Sequence, residues 1–254
     1  MFKGKKVVVF GVANKKSIAW GIAQSLTEQG AELCLTYPND AMKKRVEPLA
    51  EELGCNTVLE CDVQSDEHLD KVFAELKDKW GTLDGVVHSV AFANRDDLSN
   101  PFSETSRAGF HLAMDISAYS LVTITNRAKH LMPNGGSIIA LTYLGAERIV
   151  PNYNVMGVAK AALEASVRYL AGDLGKDNIR INGISSGPIK TLAASGIPKF
   201  RDLLNQFADT APLKRTTDVE DVAKTALFLL SDMSSGITAE TLYVDCGFNK
   251  MGLV

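Results

Sequence analysis

The sequence predicts an α/β protein in which a parallel sheet is covered by helices on both faces. Short runs rich in β-branched residues alternate with longer helical patterns along all 254 residues. The segments between successive strands are long enough to hold a helix, as parallel pairing requires. Composition does not change along the chain and no linker interrupts it. One doubly wound domain over residues 1–254 therefore accounts for the whole length.

Seven strands and the helices between them follow in order. The strands are predicted at 5–10, 31–37, 56–63, 83–91, 135–142, 179–186 and 240–245. Helices are predicted at 17–30, 40–53, 66–80, about 107–131, about 155–174 and 218–231, with a further helix in the apolar segment 188–215. This order is typical of a single Rossmann domain with a seven-stranded parallel sheet.

Composition and charge exclude several classes of function. The hydrophobic fraction of 46% and the charged fraction of 22% are ordinary for a globular protein, and a net charge of −3 offers no basic surface for nucleic acid. The four cysteines form no CxxC pair and are expected to be reduced and partly buried. Neither a signal peptide nor a membrane span is recognisable, so a cytoplasmic protein is expected. No histidines have metal-ligand spacing, so no metal is expected.

The turn after the first strand is a candidate phosphate site. Gly11 lets the chain turn tightly, and Ser17 is a good N-cap residue for the following helix, with a hydroxyl to spare. The free N–H groups at Ile18 and the next residue can face an anion. The stretch "GVANKKSIAWG" is not G-x-G-x-x-G, however, and any βα turn favours glycine. The turn alone leaves both interpretations open.

Two further segments follow strands of the same sheet. Asp62, in "CDV", ends the third strand and could accept a hydrogen bond from an adenine amino group. The stretch "HSVAFA", residues 88–93, ends the fourth strand. Ligands of open α/β sheets bind at the carboxyl edge, so these segments predict one shared crevice.

The stretch "GISSG", residues 183–187, matches the nucleophile elbow G-x-S-x-G of α/β hydrolases. That motif needs a histidine later in the chain, and all four histidines precede Ser185. Pro188 also stands where the elbow would begin its helix. A hydrolase triad is therefore rejected.

A tyrosine and a lysine seven residues apart are the strongest catalytic candidates. On a helix, Tyr153 and Lys160 would share one face, about 20° apart. Tyr143 follows the fifth strand and would lie at the same sheet edge. A tyrosine can donate a hydrogen bond to an oxygen that gains negative charge, and a nearby ammonium lowers the pKa of a phenol and can bind ribose hydroxyls.

At this point the chain resembles a known family. It is similar to the short-chain dehydrogenase/reductase superfamily and, within it, to the bacterial enoyl-(acyl-carrier-protein) reductases. The matching stretches include "SIAWGIA", "HSVAFA", "DISAYS", "LTYLGAERIVPNYNVMGVAKAALEASVRYLA", "GPIKTLAASGI" and "VDCGF", and they cover the whole chain. The resemblance implies reduction of a trans-2-enoyl group on acyl-carrier protein by NADH in fatty acid synthesis, by a homotetramer.

The resemblance also implies roles for individual residues. Lys160 binds the cofactor ribose, Tyr153 lies at the substrate thioester oxygen, and Tyr143 is a second catalytic tyrosine that lines the acyl site. Ala93 and Met156 are expected to contact substrate. The expected cofactor-binding residues are Gly11, Ser17, Ile18, Pro38, Asp62, Val63, Val90, Lys160, Ile189, Lys190, Thr191, Leu192 and Ala193.

The spacing of the pair departs from the generic superfamily pattern, in which tyrosine stands four residues before lysine. Here Met156 occupies that position, and the enoyl reductase branch places tyrosine where Tyr153 lies. Reduction of an enoyl thioester delivers hydride to the β-carbon while charge develops on an oxygen two carbons away. Three residues move a helical side chain by about 4.5 Å, a direction and scale that suit this displacement.

Two segments bear on specificity. After the second strand, Pro38, Asn39 and Asp40 stand where a 2′-phosphate would need a basic partner, so NADH is expected to be preferred over NADPH. The segment 188–215 is implied to be a flap that closes over cofactor and acyl chain.

Two alternatives stay open. One is a 3-oxoacyl or other carbonyl reductase of the same superfamily. The other is a non-catalytic dinucleotide-sensing module, since fold does not fix function.

Overall fold

Seven parallel strands pair in the order β3-β2-β1-β4-β5-β6-β7. The structure is a computed structural model and describes residues 1–191 and 200–252. Within these residues, the strands are β1 (Lys6–Phe10), β2 (Glu32–Tyr37), β3 (Thr57–Glu60), β4 (Gly85–His88), β5 (Gly136–Tyr143), β6 (Ile179–Ser186) and β7 (Thr241–Val244). The helices are α1 (Ile18–Glu28), α2 (Asp40–Glu52), α3 (Asp66–Trp80), α4 (Arg95–Ser99), α5 (Arg107–Met114), α6 (Ser120–Ala128), α7 (Asn154–Leu174), α8 (Phe200–Thr210) and α9 (Val219–Leu230). The predicted fold class is confirmed.

Each face of the sheet has its own hydrophobic core. Successive residues of a strand point to opposite faces, so Val8 joins one core and Val9 the other. The first core contains residues of α3, α6 and α7, such as Leu163. The second contains residues of α1, α2 and α9, such as Ile22. Both faces are covered, which explains why the central strands are apolar almost without interruption.

The strand order reverses between β1 and β4. The chain proceeds outward from β1 through β2 to β3, and then returns to place β4 on the other side of β1. The connections that leave β1 and β4 therefore depart in opposite directions, which opens a crevice at the carboxyl ends of these two strands.

The fourth strand is shorter than predicted. It ends at His88, and one further backbone bond joins the Ser89 amide to the carbonyl of Phe10 at 3.1 Å. Strand β1 also ends at Phe10, so β4 has no further residue of β1 to pair with, although its other neighbour β5 continues to Tyr143. The rest of the predicted strand 83–91 is a connection, and it leads into the short helix α4, which the sequence pattern did not predict.

The predicted helix 107–131 contains an interruption. A π-helical segment, Asp115–Tyr119, separates α5 from α6. The extra residue of such a segment turns the following side chains relative to the preceding ones, and π segments often lie at functional sites. Here the segment packs beside α7 and the connection after β4.

Candidate active site

The predicted site residues follow the carboxyl ends of the strands. Gly11 follows β1, Pro38 follows β2, Asp62 and Val63 follow β3, and Val90 follows β4. Parallel strands end at one edge of a sheet, so these residues come together although they are distant in sequence. The residues that the sequence assigned to a cofactor therefore lie along the sheet edge at which the crevice between β1 and β4 opens.

Gly11 is required by close packing at the point where the strand order reverses. Its φ is +104°, in the region that favours glycine, and a Cβ atom built there would lie 2.1 Å from the carbonyl oxygen of Ser89. A side chain at this position would push apart the ends of β1 and β4. The prediction of a tight turn at Gly11 agrees with this geometry.

The prediction of a spare hydroxyl at Ser17 is wrong. Ser17 is the N-cap residue of α1, but its side chain makes no capping bond. Its Oγ atom instead accepts from the amides of Ala13 and Asn14, each at 3.1 Å, and donates to the carbonyl of Asn14. The hydroxyl thus shapes the loop before the helix. Because it does not cap α1, the first N–H groups of the helix, at Ile18 and Ala19, are left for an anion.

The end of β2 offers little to a 2′-phosphate. Asn39 caps α2 by accepting from the Met42 amide at 3.1 Å, and Asp40 adds a carboxylate to the first turn. The nearest base, Lys43, lies 3.8 Å from a carboxylate oxygen of Glu47 and 6.0 Å from the centre of the Tyr37 ring. A 2′-phosphate bound there would therefore be repelled by the Asp40 carboxylate before Lys43 could bind it.

Tyr143 and Tyr153 meet across the gap between β5 and α7. Their ring centroids lie 4.9 Å apart with an interplanar angle of 71°. Tyr143 is the last residue of β5, and Tyr153 immediately precedes α7. The fold therefore brings together two of the three predicted catalytic residues, which are ten positions apart in the chain.

Lys160 lies behind this tyrosine pair, in the interior. Its side chain is 5% exposed, and its Nζ atom donates to the carbonyl of Leu141 at 2.7 Å. Burial lowers the pKa of Lys160 to about 8, while Glu164 acts in the opposite direction. The amine is therefore mostly charged at neutral pH and titrates close above it.

The expected lowering of the tyrosine pKa by lysine is not found. Burial raises the pKa of Tyr153 well above its ordinary value, and the charges of Tyr143 and Glu164 raise it further. Burial also raises the pKa of Tyr143 to about 12. Both phenols are thus protonated at neutral pH, which suits hydrogen-bond donors.

Met156 and Ala93 form a small apolar cluster next to Tyr153. Met156 is 5% exposed and packs with Ala113 and Val155, and Ala93 is partly buried against the same group. The hydroxyl of Ser117, in the π-helical segment, lies 3.7 Å from the Met156 sulfur. The position that carries tyrosine in the generic pattern is therefore filled by a buried side chain.

The segment after β6 is described only in part. Ile189 packs on the second core, Lys190 is exposed, and the Thr191 amide donates to the carbonyl of Ile189 at 2.8 Å. Leu192 and Ala193, which were also predicted to bind cofactor, lie outside the described residues.

Two residues near the site, Glu164 and Gly145, were not predicted from the sequence. Thr142 and Glu164 form a buried hydrogen bond of 2.7 Å, and a Cβ atom on Gly145 would lie 2.4 Å from the ring of Tyr153. The spacing of Glu164, four residues after Lys160, was a signal that could have identified it. Nothing in the sequence marked Gly145, because its partner is brought in by the fold.

The rejected hydrolase serine is buried within a strand. Ser185 lies within β6, paired with Thr142 on one side and Tyr243 on the other, and is 1% exposed. Among the residues that the structure describes, no cluster of three or more histidine, cysteine or acidic side chains could hold a metal ion.

The fold and this site define a doubly wound oxidoreductase of the short-chain dehydrogenase/reductase type. The family model described as "Enoyl-(Acyl carrier protein) reductase" matches residues 11–249. The chain belongs to this family.

Relatives and solved structures agree over the whole length. The enoyl-(acyl-carrier-protein) reductase (NADH) 1 of Rhizobium meliloti is 55% identical, with 100% of this chain and 93% of the relative covered. The crystal structure of the Anaplasma phagocytophilum reductase in complex with NAD is 52% identical, covers 99% of this chain and 96% of that one, and has a TM-score of 0.96. The Bacillus cereus reductase, solved with NADP+ and an indole naphthyridinone, is 52% identical over 100% of both chains, with a TM-score of 0.97.

Proposed function

We propose that this chain reduces the trans-2-enoyl group of an acyl-carrier-protein thioester in bacterial fatty acid synthesis, with NADH as the reductant. The contact between Tyr143 and Tyr153 at the end of β5, with the Lys160 amine bound to the Leu141 carbonyl of the same strand, carries this proposal. When NADH is bound, it supplies the hydride that is transferred to the β-carbon.

The residues present fit a dinucleotide. The close approach at Gly11 leaves a cradle without side chains, and the uncapped start of α1 lies beside it. Backbone N–H groups at such a helix start stabilise the negative charge of a pyrophosphate. We assign Gly11, Ile18, Asp62, Val63 and Val90 to this binding surface.

Lys160 is assigned to the ribose. One of its three N–H donors is used by the Leu141 carbonyl, which fixes the amine at the end of β5. The remaining donors are suited to a pair of ribose hydroxyls. Because the amine is buried, these hydrogen bonds are stronger than they would be in water.

Tyr153 is assigned to the thioester oxygen. Reduction at the β-carbon leaves an enolate, whose negative oxygen needs a donor. A partly buried phenol with a raised pKa keeps its proton and can give a strong hydrogen bond to that oxygen. Tyr143, packed edge to face, holds the ring and lines the acyl site with Ala93 and Met156.

Assembly, location and the flap belong to the same proposal. A homotetramer is supported by large exposed side chains such as Met233, which is 68% exposed, and Tyr119, which is 59% exposed. Among the described residues, no helix is long and apolar enough to cross a membrane. We infer a cytoplasmic enzyme with one domain. A flap over 188–215 stays a prediction, because 192–199 lie outside the described residues.

A paired substrate assay tests the reaction. Crotonyl and acetoacetyl thioesters of the same carrier are compared by following oxidation of NADH. Faster reduction of the crotonyl substrate is expected. Faster reduction of the acetoacetyl substrate would replace this proposal with a 3-oxoacyl reductase, and no oxidation with either substrate would favour a non-catalytic dinucleotide-sensing module.

A further inference from the structure

Helix α7 buries two oppositely charged side chains one turn apart. Lys160 is 5% exposed and Glu164 is 6% exposed. A spacing of four residues places them on the same face of the helix. Both reach consecutive residues of β5, because Lys160 donates to the Leu141 carbonyl at 2.7 Å and Thr142 Oγ1 donates to Glu164 Oε1 at 2.7 Å.

A buried carboxylate needs a compensating partner. Taking a charge out of water is costly unless it is paired or hydrogen-bonded. The Thr142 hydroxyl supplies one hydrogen bond to Glu164, and Lys160 lies one turn earlier on the same face of α7. Burial raises the pKa of Glu164, whereas Thr142 and Lys160 lower it, so both partners favour the charged carboxylate.

We propose that Glu164 is a positioning residue for Lys160: its carboxylate, held by Thr142, keeps the buried amine in the ammonium form at the end of β5. This role rests on the proposed function, in which the ammonium binds the ribose beside Tyr153. The hydroxyl of Thr142 acts through Glu164 and does not itself contact the amine in this scheme.

Other titratable and charged groups face this pair from several elements. His88, on β4, is fully buried, and burial together with Lys160 lowers its pKa to about 3, so it stays neutral. Glu147, after β5, raises the pKa of Glu164, and Arg168, on α7, lowers it. Burial and the charge of Glu164 raise the pKa values of the Tyr153 and Tyr243 phenols, so both phenols also stay neutral. Within the described part of the chain, Glu164 is the carboxylate that raises the pKa of Lys160.

The first test measures the charge of Lys160 without any reaction. Lysine side chains labelled with ¹³C are titrated by NMR in the cofactor-free protein, and Lys160→Met assigns the signal. Glu164→Gln is expected to lower the midpoint of Lys160 by about one pH unit, because it removes the compensating charge. Glu164→Asp keeps a carboxylate, so its Lys160 midpoint should lie close to that of the wild type.

A matched variant separates this effect from a general loss of negative charge. Glu147→Gln removes an exposed carboxylate near Glu164 and should leave the Lys160 midpoint within about 0.3 units of wild type. An unchanged midpoint in Glu164→Gln overturns the proposal, and so does an equal shift in both variants. If Glu164→Gln does not fold, Thr142→Val is titrated in its place, since it removes only the hydrogen bond to the carboxylate. A Lys160 midpoint that Thr142→Val leaves unchanged then overturns the proposal.

The second test follows kcat/KM against pH with NADH and a crotonyl thioester. The alkaline limb of Glu164→Gln should move to lower pH with the NMR midpoint, giving about tenfold less activity above both midpoints. A shifted midpoint with an unshifted rate profile overturns the role in reduction. A shifted midpoint in a protein that reduces no enoyl thioester supports the positioning by Glu164 and overturns the proposed function instead.

Discussion

The rings of Tyr143 and Tyr153 meet edge to face, with 4.9 Å between their centroids. Such a contact contributes about 0.5–1.5 kcal/mol beyond the area that it buries. It joins the last residue of β5 to the residue before α7, so the sheet edge fixes the orientation of the proposed donor.

Tyr153→Phe should lower kcat more than it raises KM. The lost hydrogen bond strengthens as charge develops on the thioester oxygen, so it matters most in the transition state. Loss of one such donor typically reduces the rate by about 10²–10³-fold. Steady-state kinetics with a crotonyl thioester measure the effect, and Tyr169→Phe, a change at an exposed tyrosine of α7, is the control.

Tyrosine at the generic position should not rescue this variant. In Tyr153→Phe with Met156→Tyr, the new phenol would need the space of a side chain that is 5% exposed and lies 3.7 Å from the Ser117 hydroxyl. Overpacking of this kind usually costs about 1–3 kcal/mol. Recovery of enoyl reduction by the double variant would contradict the assignment of Tyr153.

Gly145→Ala should reduce kcat and lower the free energy of unfolding by about 1–3 kcal/mol. The added Cβ atom would lie 2.4 Å from the Tyr153 ring, so the ring must move, and misplacement by about 1 Å can cost about 10²-fold in rate. Gly172→Ala is the matched control, because a Cβ atom there meets open space. Equal kcat in the two variants would show that the ring position is not critical.

Lys160→Ala should weaken cofactor binding and reduce turnover together. The variant loses an ammonium that is held at the end of β5 and is proposed to bind the ribose. KM for NADH, kcat and the dissociation constant from fluorescence titration are measured. If all three quantities keep their wild-type values, the assignment of Lys160 to the cofactor site is wrong.

His88 should make the protein less stable as the pH falls below about 6.5. Its pKa is about 3 in the folded protein, lowered by burial and by Lys160, so the unfolded chain binds more protons between these values. The contribution to the free energy of unfolding should fall by up to about 1.4 kcal/mol per pH unit. Urea unfolding between pH 4.5 and 7 compares wild type with His88→Gln and with His130→Gln, a change at an exposed site. Equal pH slopes in wild type and His88→Gln would refute this source of acid sensitivity.

NADH should give the higher kcat/KM. Asp40 lies at the start of α2, and Lys43 lies near Glu47 and the Tyr37 ring. A 2′-phosphate at the end of β2 would therefore lie closer to a carboxylate than to a basic side chain. The Bacillus cereus structure with NADP+ makes this comparison informative. Asp40→Asn should reduce the preference for NADH over NADPH, because it removes the repulsion between the Asp40 carboxylate and the 2′-phosphate. A measured preference for NADPH would mean that Lys43 or Lys44 reaches the phosphate.

The elements of the sheet were predictable because their signals are local. Buried strands such as β1 show a run of β-branched residues, and α7 shows a sustained helical pattern. The end of β4 was not predictable, because its length depends on where its neighbour β1 turns away. The π-helical segment between α5 and α6 is likewise set by packing, and its residues match an ordinary helix.

The candidate site divides in the same way. The sequence by itself predicted that Tyr143, Tyr153 and Lys160 lie at one sheet edge, because the strand that ends before Tyr143 and the helix that carries Lys160 are recognisable from local patterns. Only the tertiary structure decided that the Ser17 hydroxyl is used by its own loop, that Glu164 and Lys160 are both buried, and that Tyr153 has a raised pKa. Desolvation and pairing depend on every element packed around a group, and those elements come from distant parts of the chain.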